Sequence, residues 1–130
     1  MKKIFMMCII SLSLLGAYEA PMSILGSTYV DSKAAFELFN KGVKFLDVRP
    51  HSSIVRGKIK SAFEMYVGNM NPQMLAMIIK KNEPVVVYCN GQQCSLTPEA
   101  IVKMKSWGYT KLYYYRDGYP AWNYYKLPTE

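Results

Sequence analysis

Apolar residues recur at helical spacing in the first well-defined segment of the chain, residues 29–42. Asp31 is a residue type that caps helix N-termini, and Gly42 is one that follows helix C-termini. The apolar positions between them, spaced as on one helix face, are Ala34, Ala35, Leu38 and Phe39. The pattern predicts a short amphipathic helix, preceded by an extended segment at Tyr29 and Val30.

Three other stretches carry the apolar and aromatic residues that are typical of strands. They read VKFLDV at residues 43–48, EPVVVYC at residues 83–89 and KLYYY at residues 111–115. The second stretch holds a continuous apolar run, which is typical of a strand covered on both faces. We therefore expect it to be the central strand of a parallel sheet.

A second helix is predicted over residues 71–81. Asn71 is a suitable N-cap, and Pro72 is favoured at the first helical position because its missing N–H has no partner there. Apolar residues, Met74 and Met77 among them, form one face of this helix. We expect these methionines to pack in the core, where their flexible side chains fill gaps.

A further helix is predicted to begin at Thr97 and to end at Gly108. Residues 51–65 show no clear period, so we expect an irregular or briefly helical connection there. Residues 116–128 indicate a turn and then an aromatic segment that packs back on the core. Strands that alternate with helices at this length predict a single α/β domain with a central parallel sheet flanked by helices.

The N-terminus has the layout of a secretory signal peptide. Two lysines precede an apolar run at residues 4–15, and small residues follow as far as Ala20. We predict that residues 1–20 are the signal peptide and that residues 21–130 are the domain; cleavage after Ala17 and an uncleaved anchor are the alternatives. The apolar run is too short to span a bilayer comfortably, so no stable membrane insertion is expected after cleavage. The protein is predicted to be exported, to the periplasm.

The chain carries a net charge of +7 at pH 7, from 16 basic and 9 acidic residues. Its basic residues are scattered, and an exported protein does not meet nucleic acid, so no nucleic-acid partner is expected.

Beyond the signal only two cysteines remain, Cys89 and Cys94, in a compartment that favours disulfides. They form a disulfide, a reactive pair or both. With His51 as the only histidine, expected on an exposed loop, neither a metal site nor a cofactor is predicted.

Cys89 ends the predicted central strand, and a helix is predicted to begin a few residues later. In open parallel sheets, sites form outside the carboxyl ends of the strands. Backbone N–H groups and the dipole of the following helix stabilise a thiolate in this position. Gly91 lets the backbone curl around the sulfur. We therefore expect an accessible sulfur in a crevice lined by amides.

Three chemistries fit such a cysteine: a sulfur-accepting nucleophile, a phosphatase-type nucleophile, and a disulfide with Cys94. A phosphatase loop is longer and needs an arginine to grip its oxyanion, whereas residues 90–102 contain no Arg or Lys. A C-x-x-C redox motif is also excluded, because four residues separate the two cysteines. The first and the third chemistries stay open at this point.

Four segments, in order, resemble the rhodanese family, and the resemblance covers nearly all of the chain after the signal. FLDVRP resembles the D-x-R strand end of the family, with Asp47 and Arg49 in the matching places. GKIKSA, which begins at Gly57, is similar to the family's G-H-I-x-G-A, although Lys58 replaces the usual His and Ser61 the second Gly.

The third segment, VVVYCNGQQCS, resembles the strand and six-residue active loop of the family, with Cys89 at the nucleophile position. The fourth segment, RDGYPAW, resembles the closing G-G-x-x-x-W element, with Gly118 and Trp122 in register. The resemblance implies a single rhodanese-like domain that transfers sulfane sulfur.

In the implied reaction, Cys89 takes the outer sulfur of thiosulfate or a similar small anionic donor, holds it as a persulfide and passes it to a thiol or cyanide acceptor. The loop amides would hold the charge. The loop residues are Asn90, Gly91, Gln92, Gln93, Cys94 and Ser95. Asp47 and Arg49, by resemblance, lie beneath the loop and help to fix its shape.

One departure from the family concerns the donor. Cys94 occupies the last loop position, where sulfurtransferases often carry a positively charged residue, so Arg116 or Lys58 would have to supply the charge or the donor is not thiosulfate. Cys94 could instead resolve the persulfide or close a disulfide with Cys89. Two alternatives to the sulfurtransferase stay open: a non-catalytic rhodanese-like binding module, and a thiol–disulfide redox protein with a partner protein.

Overall fold

Five strands form one sheet in the computed structural model, which describes residues 18–130. They are β1 (Ser27–Tyr29), β2 (Lys44–Asp47), β3 (Phe63–Glu64), β4 (Val85–Tyr88) and β5 (Leu112–Tyr115). All neighbouring strands are parallel, and their order across the sheet is β1-β5-β4-β2-β3. The prediction of a central parallel sheet is confirmed, and β4 is its middle strand.

The pairing of β4 with β2 and β5 brings three strand ends level. Asp47 at the end of β2 pairs with Tyr88 at the end of β4, and Tyr88 pairs with Tyr115 at the end of β5. All four residues of β4 are buried. Because the strands are parallel, the segments that follow them all leave at the same edge of the sheet.

Helices cover both faces of the sheet. They are α1 (Ser32–Asn40), α2 (His51–Ile54), α3 (Pro72–Ala76), α4 (Leu96–Ser106) and α5 (Gly118–Tyr124), with a 3-10 helix at Val67–Asn69. Side chains of β4 alternate between two apolar clusters. Val87 packs with Ile101 and Met104 of α4, whereas Val86 packs with the fully buried Trp122 of α5. The predicted flanking helices and the predicted core role of the aromatic segment are confirmed.

Side-chain caps begin two of the helices, as the sequence predicts. Asp31 accepts a hydrogen bond from the N–H of Ala34 at 2.8 Å, which starts α1. Asn71 accepts one from the N–H of Met74 at 2.9 Å, which starts α3. Each bond satisfies one of the N–H groups that the first turn leaves without a partner in the helix.

Helix α3 is shorter than predicted, and this corrects the expectation for its methionines. It ends at Ala76, and the next residue, Met77, bonds back to the carbonyl of Met74 in a tighter turn. Met74 is 46% exposed and Met77 is 87% exposed, while Leu75 and Ile79 are buried. The prediction that both methionines lie in the core is wrong, because the buried face of this segment is formed by Leu75 and Ile79, and the helix ends before Met77.

The connection over residues 51–65 contains more structure than its sequence indicates. It begins with the short helix α2 and ends with the edge strand β3, which pairs Phe63 with Leu46 and Glu64 with Asp47. Both β3 residues are exposed. A two-residue edge strand with no buried face has no hydrophobic period, and this is why it was not predicted.

Most of the predicted signal peptide, residues 1–17, lies outside the described residues. Ala20, the last residue of the predicted signal peptide, is among the described residues and is only 3% exposed. Within residues 18–130, every helix falls short of the length and apolar character that crossing a membrane requires. The boundary between signal and domain stays a prediction.

Three buried tyrosines should make the fold sensitive to alkaline pH. Burial raises the pKa of Tyr114 and Tyr115 to about 12, and burial, with the charge of Asp47, raises that of Tyr88 further still. In the unfolded chain these groups ionise near pH 10.0, so their contribution to stability is complete below that pH and is lost as the pH rises above it. We expect the free energy of unfolding, measured by urea titration, to fall steadily between about pH 10 and 12.

Absorbance at about 295 nm, where tyrosinate absorbs, gives an independent measurement of the same ionisation. The folded protein should keep Tyr114 and Tyr115 largely neutral up to about pH 12. Tyr115→Phe keeps the ring and removes the ionisable hydroxyl, so it should make the pH dependence less steep. An unchanged slope in this variant would contradict the assignment.

Candidate active site

The level strand ends bring the candidate residues to one edge of the sheet. Asp47 ends β2 and Arg49 follows it, Cys89 follows β4, and Arg116 follows β5. The chain then continues from Cys89 through the loop of residues 90–95 into α4. The parallel topology thus places the predicted nucleophile and the predicted supporting residues at the same edge of the sheet.

The loop curls back so that its two cysteines meet. The N–H of Cys94 donates to the carbonyl of Gly91 at 3.0 Å, and Gly91 has a φ of +106°, which a residue with a side chain rarely adopts. The Cα atoms of Cys89 and Cys94 lie 6.4 Å apart, and the two sulfurs are joined in a disulfide. This separation lies within the range that a disulfide spans.

The expectation of an accessible sulfur on Cys89 is wrong for this oxidised state. Cys89 is 2% exposed and packs in the apolar cluster on the α4 side of the sheet, while Cys94 is half-buried against the same cluster. A sulfur in a disulfide cannot attack as a thiolate. Nucleophilic chemistry at Cys89 therefore requires that the bond to Cys94 be reduced first.

Within residues 18–130, most amides of the loop have no hydrogen-bond acceptor. Cys94 is the exception in this part of the chain, because its N–H donates to the carbonyl of Gly91. The loop amides without an acceptor there belong to Asn90, Gly91, Gln92, Gln93 and Ser95. The loop also precedes the N-terminus of α4, an 11-residue helix whose dipole favours negative charge at that end. These donors suit an anion bound by the loop.

Arg49 connects the loop to two other parts of the site. Its guanidinium binds Asp47 through Nη2, at 2.7 Å from Oδ2, and through Nε, at 2.9 Å from Oδ1. The same group donates to the side-chain oxygen of Asn90 at 3.2 Å and to the carbonyl of Gly57 at 2.8 Å. Asp47 and Arg49 are both almost completely buried, so this ion pair fixes the first loop residue from below.

Electrostatics keeps this arginine charged despite its burial. Burial alone would lower the pKa of Arg49, but the hydrogen bonds and the charge of Asp47 raise it above its ordinary value. The guanidinium also lies over the ring of Tyr119, with 4.6 Å from its central carbon to the ring centroid. Tyr119 belongs to α5, so Arg49 links the ends of β2 and β4 to that helix.

Gly118 allows α5 to approach the loop closely. It has a φ of +61°, and a side chain there would collide with the backbone of Cys89 and Gly91. The next N–H, that of Tyr119, donates to the carbonyl of Cys89 at 2.9 Å. The position of Gly118 in the RDGYPAW segment therefore has a physical reason, because only glycine leaves room for the strand end beneath it.

Arg116, a proposed source of positive charge, is occupied by the segment before β1. Its Nε and Nη2 donate to the carbonyl of Ala20 at 3.0 and 2.9 Å, and Nη2 lies 3.1 Å from a carboxylate oxygen of Glu19. The N–H of Ala20 donates to the carbonyl of Gln92 in the loop at 2.7 Å. Residues 19 and 20 thus bridge β5 and the loop, a contact that the sequence analysis did not foresee.

Lys58, the other proposed source of charge, is also engaged. Its ammonium donates to the carbonyl of Ala62 at 2.7 Å and lies 3.0 Å from Glu130 and 3.7 Å from Glu64. These acceptors neutralise its charge. Neither of the two bases considered from the sequence is therefore free to bind a donor in this structure.

Arg56, a residue that the sequence analysis missed, lines a cleft beside the loop. The cleft encloses about 410 Å³ and is lined by Arg49, Ser53, Arg56, Asn90, Tyr119 and Pro120. Arg56 is exposed, and among the residues that the structure describes no carboxylate forms an ion pair with it. Its one sequence signal is its place directly before Gly57, whose carbonyl contacts Arg49.

Comparison with known proteins agrees with this geometry. The profile of the rhodanese-like domain family matches residues 31–124, which include Asp47, Arg49, Cys89 and Arg116. The chain belongs to the rhodanese-like domain family. Among curated proteins, none matches this rhodanese-like chain. The matched range begins after Ala20, so the bridging contact at Arg116 involves residues outside it.

Several solved structures share the fold. The X-ray structure of the rhodanese-like domain of the Alr3790 protein from Anabaena is 26% identical, with a TM-score of 0.60, and the match covers 68% of this chain and 80% of that one. The BH2092 protein from Bacillus halodurans is 20% identical, with a TM-score of 0.72 and coverage of 80% and 77%. A rhodanese-related protein from Thermoplasma volcanium is 16% identical, with a TM-score of 0.65 and coverage of 79% and 97%.

The contact between Arg116 and Ala20 should contribute measurably to stability. Arg116→Met keeps much of the buried volume but leaves the Ala20 carbonyl without its donors, so we expect a loss of about 1–3 kcal/mol in the free energy of unfolding. The measurement is urea unfolding of protein that retains residues 18–20. Glu19→Gln is the matched control: the Glu19 side chain is 76% exposed, and its change should stay within about 0.5 kcal/mol. Equal losses in the two variants would contradict this assignment.

Proposed function

We propose that this domain, once its loop cysteines are reduced, transfers sulfane sulfur through a persulfide on Cys89. The observation that carries the proposal is the position of Cys89, which follows the central strand and begins a loop whose amides are mostly without acceptors in the described part of the chain. Membership in the rhodanese-like domain family adds to this support. In this proposal the protein is exported and acts in the periplasm, on a small anionic donor and a thiol or cyanide acceptor.

The proposed reaction has two displacement steps at sulfur. The thiolate of Cys89 attacks the outer sulfur of a donor such as thiosulfate; the S–S bond of the donor breaks, and sulfite leaves with the electron pair. The acceptor thiolate or cyanide then attacks the outer sulfur of the persulfide, and the Cys89 thiolate leaves. No net oxidation or reduction of the protein occurs over this cycle.

The loop backbone is the group that would stabilise the charge in both steps. The thiolate and the persulfide are anions, and the amides of Gly91, Gln92 and Gln93, in the loop that follows Cys89, have no acceptor within residues 18–130. The ion pair of Asp47 with Arg49 would hold this loop in shape through the side chain of Asn90. Asp47 and Arg49 are therefore positioning residues in this proposal.

Arg56 is the residue best placed to attract an anionic donor. Arg116 and Lys58 are engaged by carbonyl and carboxylate oxygens, whereas Arg56 lines the cleft that Asn90 also lines. An exposed guanidinium binds sulfur oxyanions in bidentate fashion. The cleft therefore offers a charge beside the loop that the loop sequence lacks.

A second candidate function is thiol–disulfide exchange with a partner protein. The disulfide between Cys89 and Cys94 favours it, because the two thiols are already placed to be oxidised together. In this alternative the domain accepts or donates two electrons and carries no sulfur atom. The experiment below distinguishes the two candidates by the mass of the protein.

The nucleophile assignment is tested with two single variants that cannot form the disulfide. After reduction and removal of the reductant, exposure to thiosulfate should add the mass of one sulfur atom to Cys94→Ser, which keeps Cys89, and none to Cys89→Ser, which keeps Cys94. Intact mass spectrometry followed by peptide mapping locates the added sulfur. Sulfur addition to both variants would mean that Cys89 has no advantage over Cys94 as the nucleophile. Sulfur addition to neither variant would favour the thiol–disulfide redox protein.

The role of Arg56 is tested by the rate of sulfur loading. In the Cys94→Ser background, Arg56→Ala should lower the second-order rate constant with thiosulfate about ten-fold or more, which corresponds to the loss of one charge-assisted contact. Lys111→Ala removes the same charge just before β5, at the opposite edge of the sheet, and should change the rate less than about two-fold. If the two variants behave alike, the cleft at Arg56 is not the donor site.

A further inference from the structure

The two loop cysteines are arranged so that one can attack the sulfur of the other. Their Cα atoms are 6.4 Å apart, and the hydrogen bond from the N–H of Cys94 to the carbonyl of Gly91 holds the end of the loop in place. In the disulfide, the sulfur of Cys94 is bonded to the sulfur of Cys89. In a Cys89 persulfide, the inner sulfur is the Cys89 sulfur itself. The disulfide shows that the loop can bring the Cys94 sulfur within bonding distance of that atom, which is what an attack by Cys94 requires.

We propose that Cys94 resolves the Cys89 persulfide and releases the sulfur as hydrosulfide, so that the domain also reduces sulfane sulfur; this rests on the proposed function. The Cys94 thiolate attacks the inner sulfur of the persulfide, and the Cys89–Cys94 bond forms. The bond to the outer sulfur breaks, and its electron pair leaves with hydrosulfide. The sulfane sulfur gains two electrons, and the two thiols lose two as they become the disulfide.

The loop composition favours this outcome over a long-lived persulfide. Residues 90–102 contain no Arg or Lys, so no cation within the loop pairs with the persulfide or separates it from Cys94. Cys94 lies two residues before α4, where the helix dipole favours its thiolate. Because both sulfurs belong to one loop, the attack is unimolecular and corresponds to a local thiol concentration of roughly millimolar or above.

The two cysteines differ in exposure, and this difference decides which sulfur a reductant attacks when it regenerates the thiols. Cys89 is 2% exposed, whereas Cys94 is half-buried and lies between the exposed residues Gln93 and Ser95. A reducing dithiol protein therefore reaches the sulfur of Cys94 first, forms a mixed disulfide there and frees the Cys89 thiolate. The dithiol is oxidised to its own disulfide when its second thiol displaces Cys94, and the loop is ready for another donor.

A single-turnover experiment on the intact protein tests this. Reduced wild-type protein, freed of reductant under nitrogen, is mixed with one equivalent of thiosulfate; hydrosulfide is trapped with a bimane reagent, and the protein is analysed by intact mass. Wild type should release about one hydrosulfide for each Cys89–Cys94 disulfide that it forms. Cys94→Ser, with Cys94→Ala as a second variant of similar size, should retain the added sulfur and release at least about ten-fold less hydrosulfide in the same time.

The outcomes separate this inference from the proposed function. If wild type keeps the added sulfur as long as Cys94→Ser does, with Cys94 still open to alkylation, the resolving role is overturned while sulfur transfer through Cys89 stands. If neither Cys94 variant takes up sulfur although both unfold cooperatively in urea, the proposed function fails and the inference fails with it. Hydrosulfide release by Cys89→Ser at the wild-type level would also overturn the inference, because the sulfur would then not pass through Cys89.

Discussion

The parallel pairing of β4 with both β2 and β5 is the constraint on which the site depends. It holds Asp47, Tyr88 and Tyr115 level, so the next residues of three chain segments meet at one edge of the sheet. It also decides which face Cys89 points to. A slip of one residue would move its side chain from the α4 side to the Trp122 side, away from the cluster in which Cys94 packs.

Two buried arginines connect the site to the rest of the fold. Arg49 is 2% exposed and Arg116 is 4% exposed, and a buried charge is tolerated only when its donors have partners. The partners of Arg49 are Asp47, a loop side chain and a turn carbonyl, so this residue ties β2 to the loop. The partners of Arg116 come from Ala20 and its neighbour, so this residue ties the segment before β1 to β5. Each arginine therefore contributes to the site by holding two chain segments together.

The redox state of one loop links all the chemistry that we propose. When Cys89 and Cys94 are joined, neither sulfur is a thiolate, so the proposed nucleophile cannot accept sulfur. In our proposal, reduction leaves one thiol just before a loop whose amides mostly have no acceptor within residues 18–130, and a second thiol near the end of the same loop. Sulfur transfer, persulfide resolution and thiol–disulfide exchange are then alternative fates of the same two atoms. The chemistry of the acceptor and the supply of reductant would decide among them.

Local signals in the sequence determined the α/β class, the central place of β4, the caps at Asp31 and Asn71, and, through motif order and spacing, the family. Periodicity and capping depend on neighbours a few residues apart, so a sequence displays them directly. Tertiary structure alone decided that Cys89 is joined to Cys94, that Ala20 bridges the loop and β5, that Met77 is exposed, and that Arg56 lines the cleft beside the loop. These outcomes depend on the sheet register and on where distant segments return to its edge, and no local pattern records either.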